Sequence, residues 1–115
     1  MVGYGFSLEF PPPQPIPPRT ADGKVLRKFA ETGYVGLNNA WLVTFQNPAA
    51  GYGGTGTGDS GGPTFWRDPA TGTDVLVSIT SWGDPLCVAM SFSYRIDTPE
   101  SLQFIQDVIA GLGAQ

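Results

Sequence analysis

The sequence predicts an all-β fold: six strands in a closed or nearly closed antiparallel barrel, followed by one C-terminal α-helix. Three observations carry this reading. Gly (16) and Pro (11) are abundant in 115 residues while charged residues make up only 14%, a turn-rich balance that suits short strands better than a helix bundle. Runs of aromatic and β-branched residues recur along the chain between Gly, Pro and Asp, which is strand patterning. A single amphipathic helical pattern lies at the end. The length fits one domain, 1–115, and 41% apolar residues supply a core.

Taken in order, residues 2–10 read as a glycine-broken strand. FPPPQPIPP (10–18) holds six prolines, which forbid helix and central strand, so 10–19 is expected to be an extended Pro-rich loop. Arg19 lacks the spacing of a Pro-module ligand, so a loop between strands is the preferred reading. VLRKFAETGYVGL (25–37) reads as a short helix or a strand, with preference for a strand kinked near Thr32-Gly33. AWLVTFQ (40–46) is a strand. Residues 47–62 are too glycine-rich for any regular element and form a long exposed loop. PTFW (63–66), VLVSITSW (75–82) and VAMSFSYRI (88–96) are strands, the first two joined through RDPATGTD. The helix spans 98–112. Thr98 is its N-cap, Pro99 suits the first turn, and Glu100 favours the dipole. Leu102, Ile105, Val108, Ile109 and Leu112 form a stripe expected to dock on the sheet.

Several function classes are disfavoured. A net charge of −4 with scattered cations argues against a general nucleic-acid binder. No stretch approaches the roughly 18 apolar residues of a membrane span. The start MVGYGFSLEF has neither a basic region nor a continuous apolar run; the chain is therefore expected either to stay in the cytoplasm or to lack its true beginning. Cys87 is the single cysteine, so no intrachain disulfide forms, and it reads as a small apolar thiol. No metal or cofactor is called for.

The chemistry concentrates in GTGTGDSGGPTF (54–65). A serine hydroxyl becomes a nucleophile only when a base takes its proton, and acyl transfer needs donors for the developing oxyanion, which backbone N–H groups provide. Glycines around Ser60 suit both needs, although a plain Gly/Ser turn with Asp59 as turn former is the bland alternative. Ser81-Trp82-Gly83 follows 21 residues later at the end of an apolar strand, Tyr94 sits in the next strand, and a helix closes the chain.

Through GDSGGP, the SWG segment and VGYG (2–5), the sequence resembles the C-terminal half of the trypsin/chymotrypsin-like serine proteases. The resemblance runs from about residue 2 to 112, specific at 54–65 and 78–83 and weak at 10–50. It implies a six-stranded antiparallel Greek-key barrel, one half of a two-barrel fold, and a secreted, extracellular peptidase. It also implies roles: Ser60 as nucleophile, the N–H groups of Gly58 and Ser60 as oxyanion hole, and Ser81, Trp82 and Gly83 pairing with a peptide substrate. Residues Gly54, Thr55, Gly56 and Thr57 would wall the side-chain pocket together with 89–92. Gly54 stands where trypsin-like members carry an Asp, and Ala89, Met90 and Phe92 are apolar, so an apolar preference is implied. Cys87 matches one half of a family bridge and Gly56 replaces the other.

Two departures matter. The chain has no histidine, and the family's His and Asp belong to the first barrel, so the chain alone is expected to be inactive. Lys24 or Lys28 as substitute base has no support from context. Asp59 is expected to lack its family partner, a newly cut N-terminus, and the 56–62 loop to rearrange. Three functions remain open: the C-terminal half of a serine endopeptidase, a half completed by a separate chain supplying His and Asp, and a non-enzymatic peptide- or protein-binding domain.

Overall fold

The computed structural model describes residues 1–9, 14–16 and 26–113. The elements are β1 (Val2–Gly3), β2 (Ser7–Glu9), β3 (Gln14–Ile16), β4 (Lys28–Phe29), β5 (Gly33–Leu37), β6 (Trp41–Phe45), a 3₁₀ turn (Pro48–Ala50), β7 (Pro63–Arg67), β8 (Asp74–Gly83), β9 (Met90–Arg95) and α1 (Pro99–Gly113). All pairings are antiparallel. Five strands form one sheet in the order β5-β6-β9-β8-β7, while β1-β4 and β2-β3 are separate two-stranded ribbons.

The expectation of a six-stranded closed barrel is met only in its coarser part, a mostly β, antiparallel chain with one terminal helix. The expected first strand, 2–10, is split in two at Tyr4–Phe6. The described part of the segment 25–37, residues 26–37, holds strands and no helix, and breaks at Ala30–Thr32, just before Gly33. There the Ala30 N–H bonds back to the Met1 carbonyl (3.0 Å), and the Thr32 hydroxyl donates to the Phe45 carbonyl (2.9 Å). One arm of the segment thus pairs with β1 and the other with β6. Most of the expected Pro-rich loop at 10–19, and Lys24 with it, lies outside the described residues; its centre, Gln14–Ile16, is the strand β3.

Register sorts the sheet into two faces. Trp41 pairs with Tyr94, Val43 with Phe92 and Phe45 with Met90, so one face is aromatic and aliphatic. The alternate pairs, Leu42 with Ser93 and Thr44 with Ser91, continue through Thr80 and Ser78 to Thr64. This second face is small and hydroxylic, and it is the buried one: Thr44, Thr64, Ser78, Thr80, Ser91 and Ser93 are all buried. Among the described residues no apolar side chain is fully buried.

The helix forms as its caps dictate. Ser101 N–H approaches the Thr98 hydroxyl (3.3 Å), and Leu102 N–H reaches the Thr98 carbonyl (2.9 Å), the expected N-cap pattern. Its docking does not follow. No α1 residue is buried, and Leu102, Val108, Ile109 and Leu112 are exposed. The stripe has the right periodicity, but the chain leaves the sheet at Arg95–Asp97 and carries the helix away from it.

Candidate functional site

The loop 54–62 is ordered by its backbone. Thr55 N–H donates to Gln46 Oε1 (2.9 Å) and Gly56 N–H to Asp59 Oδ2 (2.8 Å). Further along, Asp59 N–H reaches the Gly56 carbonyl (3.1 Å), Gly61 N–H the Thr80 carbonyl (2.9 Å), and Gly62 N–H the Asp59 carbonyl (2.9 Å). From Thr55 to Gly62, the N–H groups of Thr57, Gly58 and Ser60 make no hydrogen bond among the described residues. Ser60 itself is exposed. Gly58 has φ 95°, a left-handed conformation that a side chain would strain.

Asp59 is the anchor. Its Oδ1 accepts from Gly5 N–H (2.7 Å) and its Oδ2 from Gly56 N–H; Phe6 N–H donates to the Thr57 carbonyl (2.7 Å). This corrects the expectation of an unpaired carboxylate in a rearranged loop, because the segment 1–6 supplies the partner from within the chain. The approach is close: a Cβ on Gly5 would lie 2.5 Å from Asp59 Cγ, and one on Gly3 would overlap the same carboxylate. The glycines of VGYG therefore admit Asp59, and β1 comes beside the start of β7.

A second carboxylate, absent from the sequence reading, organises the opposite wall. Asp84 Oδ1 accepts from the N–H groups of Ala89 and Met90 (both 2.9 Å), and Oδ2 accepts from Val88 N–H (3.0 Å). The Gln46 amide adds a longer contact at 3.4 Å. Burial pushes the Asp84 carboxyl up, but these four donors outweigh it and hold it below the ordinary carboxylate value. Gln46, only 1% exposed, thus joins the two walls, taking Thr55 N–H on its oxygen and offering its nitrogen to Asp84. It also fills the space where a Gly54 side chain would stand. Thr55 and Ser91 hydroxyls close the link at 2.9 Å. Signals were present in the sequence: Gln46 is the lone polar end of an apolar strand, and Asp84 opens the turn directly after SWG.

A cavity of about 260 Å³ lies beside Gly54, Thr55 and Gly56, lined also by Gln46, Cys87, Val88 and Asp59. Cys87 and Val88 line it where 89–92 were expected. Phe92 lies elsewhere, stacked on Trp82 (3.8 Å, 2°), with Trp41 edge-on to Trp82 at 6.2 Å. Burial raises the Cys87 thiol above its ordinary value, and the Asp84 and Asp59 carboxylates add to this, so it is a poor nucleophile. Lys28 is exposed on β4.

The structure brings the Ser60 loop to the SWG segment. Gly61 and Gly62 bond to both sides of Thr80, the residue before Ser81. Beyond this point β8 outruns β7: the β7 ladder ends at Ile79, whereas β9 pairs onward to Gly83. Among the described residues no group of three or more His, Cys, Asp or Glu could hold a metal, and no helix is long and apolar enough to cross a membrane. Comparison with protein-family models, with curated proteins and with solved structures finds no match.

Proposed function

We propose that this chain is the nucleophile-bearing half of a trypsin-like serine endopeptidase. The observation that carries the reading is the loop's hydrogen-bond pattern: the N–H groups of Gly58 and Ser60, the pair that would stabilise an oxyanion, are both uncommitted in a loop whose Thr55, Gly56, Asp59, Gly61 and Gly62 N–H groups are all bonded. In this reading the Ser60 oxygen bonds to the scissile carbonyl carbon, the C–N bond breaks, and the serine proton passes through a base to the departing amine. The base is a histidine oriented by an aspartate. Neither comes from this chain, so a partner barrel completes the site.

The finer architecture follows the same proposal. β4 and β5 act as two arms of one bent strand, giving the barrel order β1-β4/β5-β6-β9-β8-β7 with β7 returning beside β1. The free edge at Ser81–Gly83 pairs with substrate as an added strand. The cavity beside Gly54 takes an uncharged side chain, since Gln46 occupies the space an acidic residue there would need. A secreted setting accompanies the family.

A fluorophosphonate probe tests the proposal. Ser60 is expected to label only after addition of a chain carrying the His- and Asp-bearing barrel, and Ser60→Ala to abolish labelling. No labelling with any such barrel overturns it. A second reading, peptide binding without hydrolysis, draws on the free β8 edge and the absence of histidine. It expects a peptide affinity that survives Ser60→Ala and falls in Trp82→Ala.

A further inference from the structure

The sheet and the helix are each left with an apolar surface that the other does not cover. Both edge strands line a cleft of about 650 Å³, β5 through Tyr34 and Leu37 and β7 through Phe65 and Trp66, with Leu42 of β6 and Leu76 of β8 between them. All of these side chains except Leu42 are exposed. The charges at the rim are spent on each other, Arg95 holding Asp97 through two hydrogen bonds of 2.7 Å. No residue of α1 lines the cleft.

The helix carries the matching surface. Leu102, Ile105, Ile109 and Leu112 recur at intervals of three and four and form one row along α1. Glu100, Gln103 and Asp107 lie on the opposite side, where the Gln103 amide donates to Asp107 (2.8 Å). The row therefore enters an apolar cleft without burying a charge. The cleft of the same chain is barred to it. The Ser101 hydroxyl donates to the Arg95 carbonyl (2.9 Å) and Arg95 donates to the Asn38 carbonyl (2.6 Å), so the first turn of α1 is tied to β9. Swinging the helix back over its own sheet breaks these bonds, whereas receiving the helix of another copy keeps them.

We infer that two copies of this chain form a two-fold dimer by exchanging α1, each helix seated in the cleft between β5 and β7 of the other copy. Area separates this from the simpler alternative. Leu102, Val108, Ile109 and Leu112 are exposed, at roughly 100 Å² each. With an equal area of cleft covered, two seated helices remove about 1,600 Å² from water, the size of a stable interface. Two α1 helices paired row to row would remove only about 800 Å², the size of a crystal-packing contact. The inference stands apart from the proteolytic reading, since no residue of the 54–62 loop lines the cleft.

Sedimentation equilibrium of the full chain across the micromolar range provides the test, and a reversible monomer–dimer equilibrium is expected. Ile109→Lys on the helix and Leu37→Lys in the cleft, at positions 63% and 53% exposed in the single chain, are each expected to weaken dimerisation at least about tenfold. An equimolar mixture of Ile109→Lys and Leu37→Glu chains is expected to recover pairing, because one contact is intact and the other joins opposite charges. A monomer at every concentration, a loss from Ile109→Lys with none from Leu37→Lys, or no recovery in the mixture overturns the inference. Should a charged variant fail to fold, Ile109→Cys combined with Leu37→Cys decides it. Oxidation is expected to give a disulfide-linked dimer; an internally bridged monomer, or an equal yield of dimer from Ile109→Cys alone, overturns the exchange.

Discussion

Two buried polar regions of this molecule are built on opposite terms. Around the Ser60 loop, the side-chain oxygens of Asp59, Gln46 and Asp84 all accept from backbone N–H groups. On the inner face of the sheet, five hydroxyls, those of Thr44, Thr64, Ser78, Thr80 and Ser93, are buried with no partner. The difference teaches where the fold keeps its local order. With no apolar side chain fully buried among the described residues, charge-assisted bonds to backbone fix the loop. The undocked α1 stripe is left for something else to cover.

The largest effect is expected at Asp59. Asp59→Ala removes both anchors of the loop and unties the 1–6 segment, a loss of about 3 kcal/mol for two hydrogen bonds to a charged group. Gly5→Ala attacks the same contact from the other side, since its Cβ meets the carboxylate, and overpacking of this kind costs about 1–3 kcal/mol. Thermal unfolding measures both. If both variants melt like the parent, the contrast between a tied loop and an untied face is broken.

Asp84 should give a smaller, pH-dependent effect. Its carboxyl is held below the ordinary value in the folded chain, so its contribution is fully present above the unfolded value of about 3.9. It is lost as pH falls through the lower, folded value. Asp84→Asn is therefore expected to flatten the acid limb of the stability curve and to leave stability above pH 5 lower by about 2 kcal/mol. Amide exchange at Val88, Ala89 and Met90 reads the same event locally, and an unchanged acid limb would remove Asp84 from the account.

Much of this arrangement was legible in the sequence, and the misses share a cause. Strand patterning placed β6, β7, β8 and β9, and capping placed α1, because alternation, glycine and Thr98 act over a few residues. GDSGGP and SWG marked the two segments that the Thr80 hydrogen bonds bring together. Closure of the barrel and docking of the helix were not legible, because they depend on partners distant in sequence. Asp59 misled for the same reason: nothing local shows that Gly5, 54 residues away, offers an N–H. Gln46 was read as the end of a strand, although its side chain joins both walls of the site.

The smallest expected effect is the sharpest, because it isolates pairing from burial. Ser91 and Ser93 lie two residues apart on β9, face the same side of the sheet, and are both 0% exposed. Ser91 shares a 2.9 Å hydrogen bond with Thr55; the Ser93 hydroxyl has no partner. Ser91→Ala breaks that bond and leaves Thr55 orphaned, a loss of about 1–2 kcal/mol. Ser93→Ala removes an orphan with almost no change in shape, so stability is expected to hold or rise by up to about 1 kcal/mol. Denaturant unfolding of the two variants side by side measures the difference. Equal losses would mean that the Ser93 hydroxyl is satisfied after all, and that the two regions differ less than their hydrogen bonds indicate. Opposite signs would mean that burial alone does not stabilise these hydroxyls, and that the inner face is more stable once its hydroxyls are removed.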